Sequence, residues 1–224
     1  MSDFFITGTD TGVGKTWATL VLMKALQDKG KTVVGMKPVA SGCQNTSAGL
    51  RNDDARQILK QSSSRGDQTI NYKTVNPYTF EQAVAPHIAA DLAGVKIDIE
   101  KIASAFTTLK KDADSVLVEG VGGWSIPLGD NIMLADLVKR LNLPVILVVG
   151  LRLGCINHAL STIRAIEADG ARVHGWTGSQ LDPDYACLNE TIITLQTRIN
   201  APFLGSLDYM ERFDLRTACS QLRT

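Results

Sequence analysis

Apolar residues along the chain fall in short unbroken runs rather than in strict alternation with polar ones. Phe4–Gly8 (FFITG) and residues 32–39 (TVVGMKPV), 115–123 (SVLVEGVGG), 144–150 (PVILVVG) and 172–178 (RVHGWTG) each read as a strand buried on both faces. Residues 201–207 (APFLGSL) supply a sixth. Longer segments with helical spacing lie between them: 13–30, stopped by Gly30, then about 156–169, then 184–199. Buried strands joined by helix-length connections predict a mainly parallel β-sheet covered by helices on both faces, an α/β fold. The 224 residues suit one such domain, spanning 1–224, and are too few for two comfortable ones. The polar stretch 60–72 (KQSSSRGDQTINY) reads as a surface connection.

In parallel sheets, ligands gather at the carboxyl ends of the strands. The polar and glycine-rich residues of this chain follow predicted strands, at 8–16, 37–41, 119–123 and 150–157. Charge narrows the ligand class: 23 basic residues balance 23 acidic ones, which argues against bulk binding to nucleic acid or an anionic membrane. No apolar run approaches the ~20 residues of a membrane span, and the first ten residues carry no export pattern. The four cysteines, Cys43, Cys155, Cys187 and Cys219, form no CxxC pair. Reduced thiols in a cytoplasmic protein are expected, without a zinc site.

Residues 8–16 read GTDTGVGKT. A phosphate loop has Gly, four residues, then Gly-Lys-Ser/Thr. Counting back from Gly14 puts the first glycine at Thr9, with Gly8 one step early. A strand before and a helix after are the context a phosphate loop requires. Backbone N–H groups of Gly12, Val13 and Gly14 can ring a phosphate at the helix start, Lys15 reaches the outer phosphates and Thr16 offers a hydroxyl to Mg²⁺. A tight strand-to-helix turn with a surface lysine is the plainer reading. One branch of such NTPases has a second lysine early in the loop, in K-G-G-V-G-K-[ST]. Asp10 stands there in this chain, and a carboxylate cannot replace that cation, which disfavours a partition-type ATPase switch. The Thr9-Asp10-Thr11 stretch is expected to line the γ-phosphate side.

Lys37 ends a predicted strand, and Pro38 holds its backbone extended. It either clamps transferring oxygens or snorkels to water. Asp53 and Asp54 sit at a helix start, where carboxylates are stabilising for ordinary reasons. Glu119 follows a buried strand, the place of an acid that handles Mg²⁺ or its water shell; a solvated carboxylate is the alternative.

The segments GTDTGVGKT, KPVASG, LRNDDA, TVNPYTF, APHIAA, VLVEGVGGWSIPL, LPVILVVGLRLGCINHAL and GW occur in the order found in dethiobiotin synthetases, and this resemblance runs from residue 3 to about 178. It implies an ATP-dependent ligase of biotin biosynthesis. Such an enzyme carboxylates 7,8-diaminononanoate with CO₂ or bicarbonate, phosphorylates the carbamate and closes a cyclic urea. Mg²⁺ is implied as cofactor, ATP as co-substrate, and a homodimer with the substrate site at the subunit interface. By motif position, Lys37, Lys15 and Thr11 resemble the catalytic set, and Ser41 the substrate-contacting serine. Thr16, Asp54 and Glu119 resemble the Mg²⁺ ligands. Trp17 joins Gly12 to Thr16 on the nucleotide side. Gly122 and Gly123 let substrate approach the backbone, and Pro77 and Tyr78 are expected to shape a wall, which ordinary loop packing would explain equally well. Asn157 is implied to reach the neighbour's substrate tail; from the sequence alone it reads as an ordinary N-cap. The substrate brings both amines, so His87, His158 and His174 are not required as bases.

The match frays after GW, where the family commonly has an Asn-Asp pair that reads adenine. Ser179 and Gln180 occupy that place, and Gln180 still offers an amide. Asp208, Tyr209 and Met210 are candidates for closing over the base. The competing readings are a nucleotide switch of the partition type and a cobyrinate-amidating synthetase, whose usual amidotransferase domain has no room here.

Overall fold

The computed structural model describes residues 3–67 and 69–223. Its centre is a six-stranded, wholly parallel sheet. The strands are β1 (Phe4–Gly8), β2 (Val33–Met36), β3 (Ser115–Glu119), β4 (Val145–Leu151), β5 (Val173–Gln180) and β6 (Phe203–Leu207). Their spatial order is β6-β5-β4-β1-β3-β2. Every residue of β1, β2, β3 and β4 is buried, the two-sided burial expected of unbroken apolar runs. Side chains such as Phe5, Ile6, Leu117 and Leu147 are fully enclosed, each worth about 1.5–3 kcal/mol of transfer free energy.

The chain leaves β1 toward β2 on one side and returns to β4 on the other. A crevice therefore opens above the carboxyl ends of β1 and its neighbours. Helix α1 (Lys15–Gln27) follows the glycine loop. It begins two residues later than its apolar pattern suggests, because Gly14 takes the left-handed conformation (φ 87°) as its N-cap. A Cβ at Gly14 would also lie 2.5 Å from Ser179 Oγ, so no other residue fits there unstrained.

The expected 32–39 strand splits. Pro38 has no N–H for a ladder, β2 stops at Met36, and Val39–Ala40 pairs instead with Tyr78–Thr79. The 115–123 strand likewise ends at Glu119, and the glycines after it turn. Helix α2 (Asp53–Gln61) begins where Asp53 and Asp54 are expected to start one. The long connections carry further helices that their apolar runs did not announce: α3 (Tyr72–Val75), α4 (Pro86–Leu92), α5 (Ile99–Lys111) and α6 (Leu134–Leu141). Then follow α7 (Cys155–Ala168), α8 (Leu188–Arg198) and α9 (Leu215–Ala218). Helix α8 starts four residues after the expected 184, because Cys187 is left-handed (φ 58°) and breaks the turn before it.

The stretch 60–72 is a connection with structure of its own, and its residue 68 lies outside the described residues. Its first two residues finish α2, and Ser62 and Ser63 then run along the edge strand β2. Their hydroxyls accept from the N–H groups of Gly35 (3.0 Å) and Val33 (3.0 Å), satisfying donors that an edge strand leaves open. Among the described residues, no helix is long and apolar enough to cross a membrane, and all four cysteines are free thiols.

Candidate active site

The glycine loop, the turn after β2, the start of α2 and the turn after β3 enclose one cleft of about 770 Å³. Thr11, Gly12, Gly14, Lys15, Thr16, Trp17, Lys37, Ser41, Asp54, Glu119, Gly122 and Ser179 all line it. At its floor Glu119, the last residue of β3, is fully enclosed, and Lys37 is 4% exposed. The Lys37 ammonium donates to Glu119 Oε1 at 2.6 Å and to the Gly120 carbonyl at 2.9 Å, with Asp54 Oδ2 at 3.6 Å. Thr16 donates its hydroxyl to the same Glu119 oxygen at 2.9 Å.

Burial by itself would lower the pKa of Lys37. The Glu119 charge, then that of Asp54, and hydrogen bonds to both outweigh it and raise Lys37 above the ordinary lysine value, which makes it a standing cation. Lys15 is held differently. Its ammonium donates to the Asp10 carbonyl at 2.7 Å, and burial, then repulsion from Lys37, lower its pKa to about 8. Two lysines thus share one cleft and sense each other's charge.

The irregular start of the loop is braced from behind. Thr9 Oγ1 accepts from Gly150 N at 3.4 Å, and the Asp10 carboxylate accepts from Thr11 N (2.7 Å) and pairs with Arg152 (3.0 Å). Of the three residues expected to line the phosphate side, only Thr11 lines the cleft. Thr9 and Asp10 instead tie the loop to the end of β4 and to Arg152 just after it.

Lys37 depends on a residue that motif reading missed. Asn76, buried at 2% exposure, donates its amide to the Lys37 carbonyl (2.6 Å) and the Tyr78 carbonyl (3.2 Å). Its Oδ1 accepts from the Tyr72 hydroxyl at 2.9 Å. Lys37 N donates to the Val75 carbonyl at 2.9 Å, so both backbone groups of the lysine are anchored by one segment. No local pattern links positions 76 and 37; only the pairing of Val39–Ala40 with Tyr78–Thr79 joins them. This corrects the expected wall. Pro77 and Tyr78 do not line the cleft, and the buried Tyr78 hydroxyl accepts from Asp98 N (2.8 Å). The wall comes from Ala83, Val84, Ala85, Pro86 and Ile126, which no chemical signature would have flagged.

Proteins of known name resemble the chain throughout its length. The family model described as an AAA domain matches residues 2–216. The ATP-dependent dethiobiotin synthetase BioD of Xylella fastidiosa (strain Temecula1) is 47% identical over 210 residues, 94% of this chain and 91% of that protein. The protein of that name from Nitrosospira multiformis is 45% identical over 219 residues, 98% and 93% of the two chains. The chain belongs to the dethiobiotin synthetase family. Solved structures agree on the fold alone. The MinC:MinD cell division protein complex of Aquifex aeolicus aligns with TM-score 0.56 at 18% identity, over 94% of this chain and 83% of that one. Cell division protein FtsY of Thermotoga maritima aligns with TM-score 0.51 at 16% identity, over 98% and 67%.

Set against this dethiobiotin synthetase family, the remaining expected site residues divide. Val13 lies buried beneath the loop, and Gly123 does not line the cleft; a Cβ there would lie 3.5 Å from the Gly8 carbonyl oxygen. Asn157 is not an N-cap. Gly154 caps α7 in the left-handed conformation, and Asn157 sits exposed in the first turn, outside the cleft of its own chain. Gln180 does not face the cleft either. Strand side chains alternate, so Ser179 and Leu181 point inward while the Gln180 amide donates to the Asp182 carbonyl (2.9 Å). Asp208 pairs with Gln221 (2.7 Å), and Tyr209 N donates to Gln180 Oε1 (3.4 Å). Met210 packs against the core, and none of these three lines the cleft.

Proposed function

We propose that the chain is an ATP-dependent dethiobiotin synthetase, converting 7,8-diaminononanoate, CO₂ and ATP to dethiobiotin, ADP and phosphate. One observation carries the reading: two lysine ammoniums, a threonine hydroxyl and an enclosed glutamate converge in one cleft of a chain from this family.

The chemistry asks little covalent help of the protein. One substrate amine adds to CO₂, forming an N–C bond and losing a proton, which leaves a carbamate. A carbamate oxygen takes the γ-phosphoryl group and ADP departs. The second amine then attacks the carbamate carbon, the C–O bond to phosphate breaks, a proton is released and the ring closes. Phosphoryl transfer of this kind rests on positioning and charge neutralisation. Lys37, held as a cation, faces the carbamate and γ-phosphoryl oxygens, while Lys15 and Thr11 hold the transferring group from the loop side. Ser41 and the backbone at Gly122 steer the diamine. Gly122 adopts φ +63°, and its bare Cα leaves the wall free of a side chain there. The enclosed floor keeps water from the acyl-phosphate.

A divalent cation fits the donor set. Glu119 Oε2 is buried without a hydrogen-bond partner, an unpaired carboxylate oxygen close to where phosphates would lie. Thr16, Asp54 and Glu119 would hold Mg²⁺, which when bound neutralises phosphate charge. The chain acts as a homodimer in this reading. The first turn of α7, with Leu153 91% exposed beside it, is free to cover a neighbour's cleft and bring Asn157 to the substrate tail.

The test is direct. Purified protein given diaminononanoate, bicarbonate and Mg·ATP should form dethiobiotin and ADP in equal amounts, seen by mass spectrometry. A protein that binds ATP yet forms no dethiobiotin overturns the assignment.

A further inference from the structure

The chain has three tryptophans. Trp124 (3% exposed) and Trp176 (fully buried) belong to the core. Trp17 alone is half-buried, and it forms part of the cleft wall, two residues beyond Lys15 on α1. Phe213 stacks against it, with ring centroids 5.2 Å apart and planes 24° from parallel. Phe213 is itself held, because Asp214 caps α9 by accepting from Arg216 N (3.1 Å) and from the Thr217 hydroxyl (2.9 Å). One aromatic ring thus buttresses another, and the remaining indole surface faces a cleft otherwise rich in charge. A rigid π-surface beside a phosphate loop suits a flat aromatic ligand group.

The end of β5 presents no free amide to the edge of such a group. Ser179 of β5 and Leu181, just after it, line the cleft. Ser179 is 2% exposed and pressed against Gly14, and both ends of the Gln180 amide are engaged elsewhere.

We propose that Trp17, backed by Phe213, is a stacking platform for the nucleobase, so that this enzyme holds the base by its face and accepts purine and pyrimidine triphosphates alike. The proposal rests on the nucleotide-binding reading of the cleft. Every base has a π-face, so stacking is tolerant, whereas strong discrimination needs hydrogen bonds to the base edge.

The experiment compares wild type with Trp17→Leu and Trp17→Phe. ATP, GTP and CTP serve as nucleotides, and inorganic tripolyphosphate as a baseless competitor. Wild-type KM values for the three nucleotides should agree within about ten-fold. Trp17→Leu should raise each by roughly 10- to 100-fold, the usual worth of base–aromatic stacking. The KM for diaminononanoate and inhibition by tripolyphosphate should not move, and Trp17→Phe should restore most of the loss. Since the other tryptophans are enclosed, ATP should also change the intrinsic fluorescence of wild type more than tripolyphosphate does, and Trp17→Leu should abolish the difference. That arm needs no turnover, so it separates failure of the platform from failure of the synthetase assignment. The proposal is overturned if Trp17→Leu leaves the KM for ATP within about two-fold of wild type, since a side chain that only packs on Phe213 would behave so. A wild-type preference for ATP over GTP and CTP of about 1,000-fold or more would overturn it too. If Trp17→Leu does not fold, Trp17→Phe takes its place in the fluorescence arm, where it too should abolish the difference, and a difference that persists overturns the proposal.

Discussion

Replacing Lys37 by Met tests whether the floor of the cleft is the buried ion pair described. Methionine nearly preserves the side chain's volume and removes its charge and N–H donors, so the cavity contribution is small. Glu119, fully enclosed, then loses its 2.6 Å partner and keeps only the Thr16 hydroxyl and a distant share of Lys15. Removing one member of a buried pair costs about 3–5 kcal/mol. The remaining attraction of Lys15 for Glu119 favours the lower end, about 3 kcal/mol. For a chain of this size that corresponds to a fall in Tm of roughly 6–12 °C. Thermal unfolding at neutral pH without ligands measures it, beside the dethiobiotin assay. The Lys37→Met, Glu119→Gln double variant removes the stranded charge, so it should recover most of the Tm while still forming no product. A single variant that melts within about 2 °C of wild type would refute the buried pair as described here.

Asn76→Ala removes an amide donor from the Lys37 and Tyr78 carbonyls and takes from the Tyr72 hydroxyl its acceptor. It should cost about 2–3 kcal/mol of stability in urea unfolding and lower kcat more than it raises KM, because Lys37 loses its anchor; unchanged kcat would count against a positioning role. His174 gives a pH prediction. Burial, then the charge of Arg172, hold its pKa below the ordinary 6.5, so the unfolded chain binds that proton more readily than the folded one. Stability therefore rises with pH through the window below 6.5 and is lost as pH falls through the folded-state value. His174→Phe, which keeps a ring beside Phe4, should flatten the change of Tm between about pH 5 and 7, and equal slopes in the two proteins would contradict it.

The phosphate loop was legible because its chemistry is local: strand, glycines, lysine and helix start fall within thirteen consecutive positions, 4 to 16. Lys37, Ser41, Asp54 and Glu119 were legible as strand-end or helix-start residues, and the structure brings them to one cleft. Gln180 and Asn157 misled for complementary reasons. The first sits on the outward side of a strand whose pleat its neighbours set, and the second lies one turn inside a helix that Gly154 had already capped.

The order of apolar runs, the two-residue punctuation by glycine and proline, and the residue types at strand ends were determined by the sequence alone, because each depends on backbone geometry within a few residues. Which side chains meet was decided by the tertiary structure. Lys37 and Glu119 are 82 positions apart, Thr16 and Glu119 are 103 apart, and they touch only because β1, β2 and β3 lie side by side in register. The Asn76 support of Lys37 and the Phe213 support of Trp17 arise in the same way. A one-dimensional pattern specifies which face of an element is apolar, but packing a sheet between helices is what selects the neighbour that face or strand end finally meets.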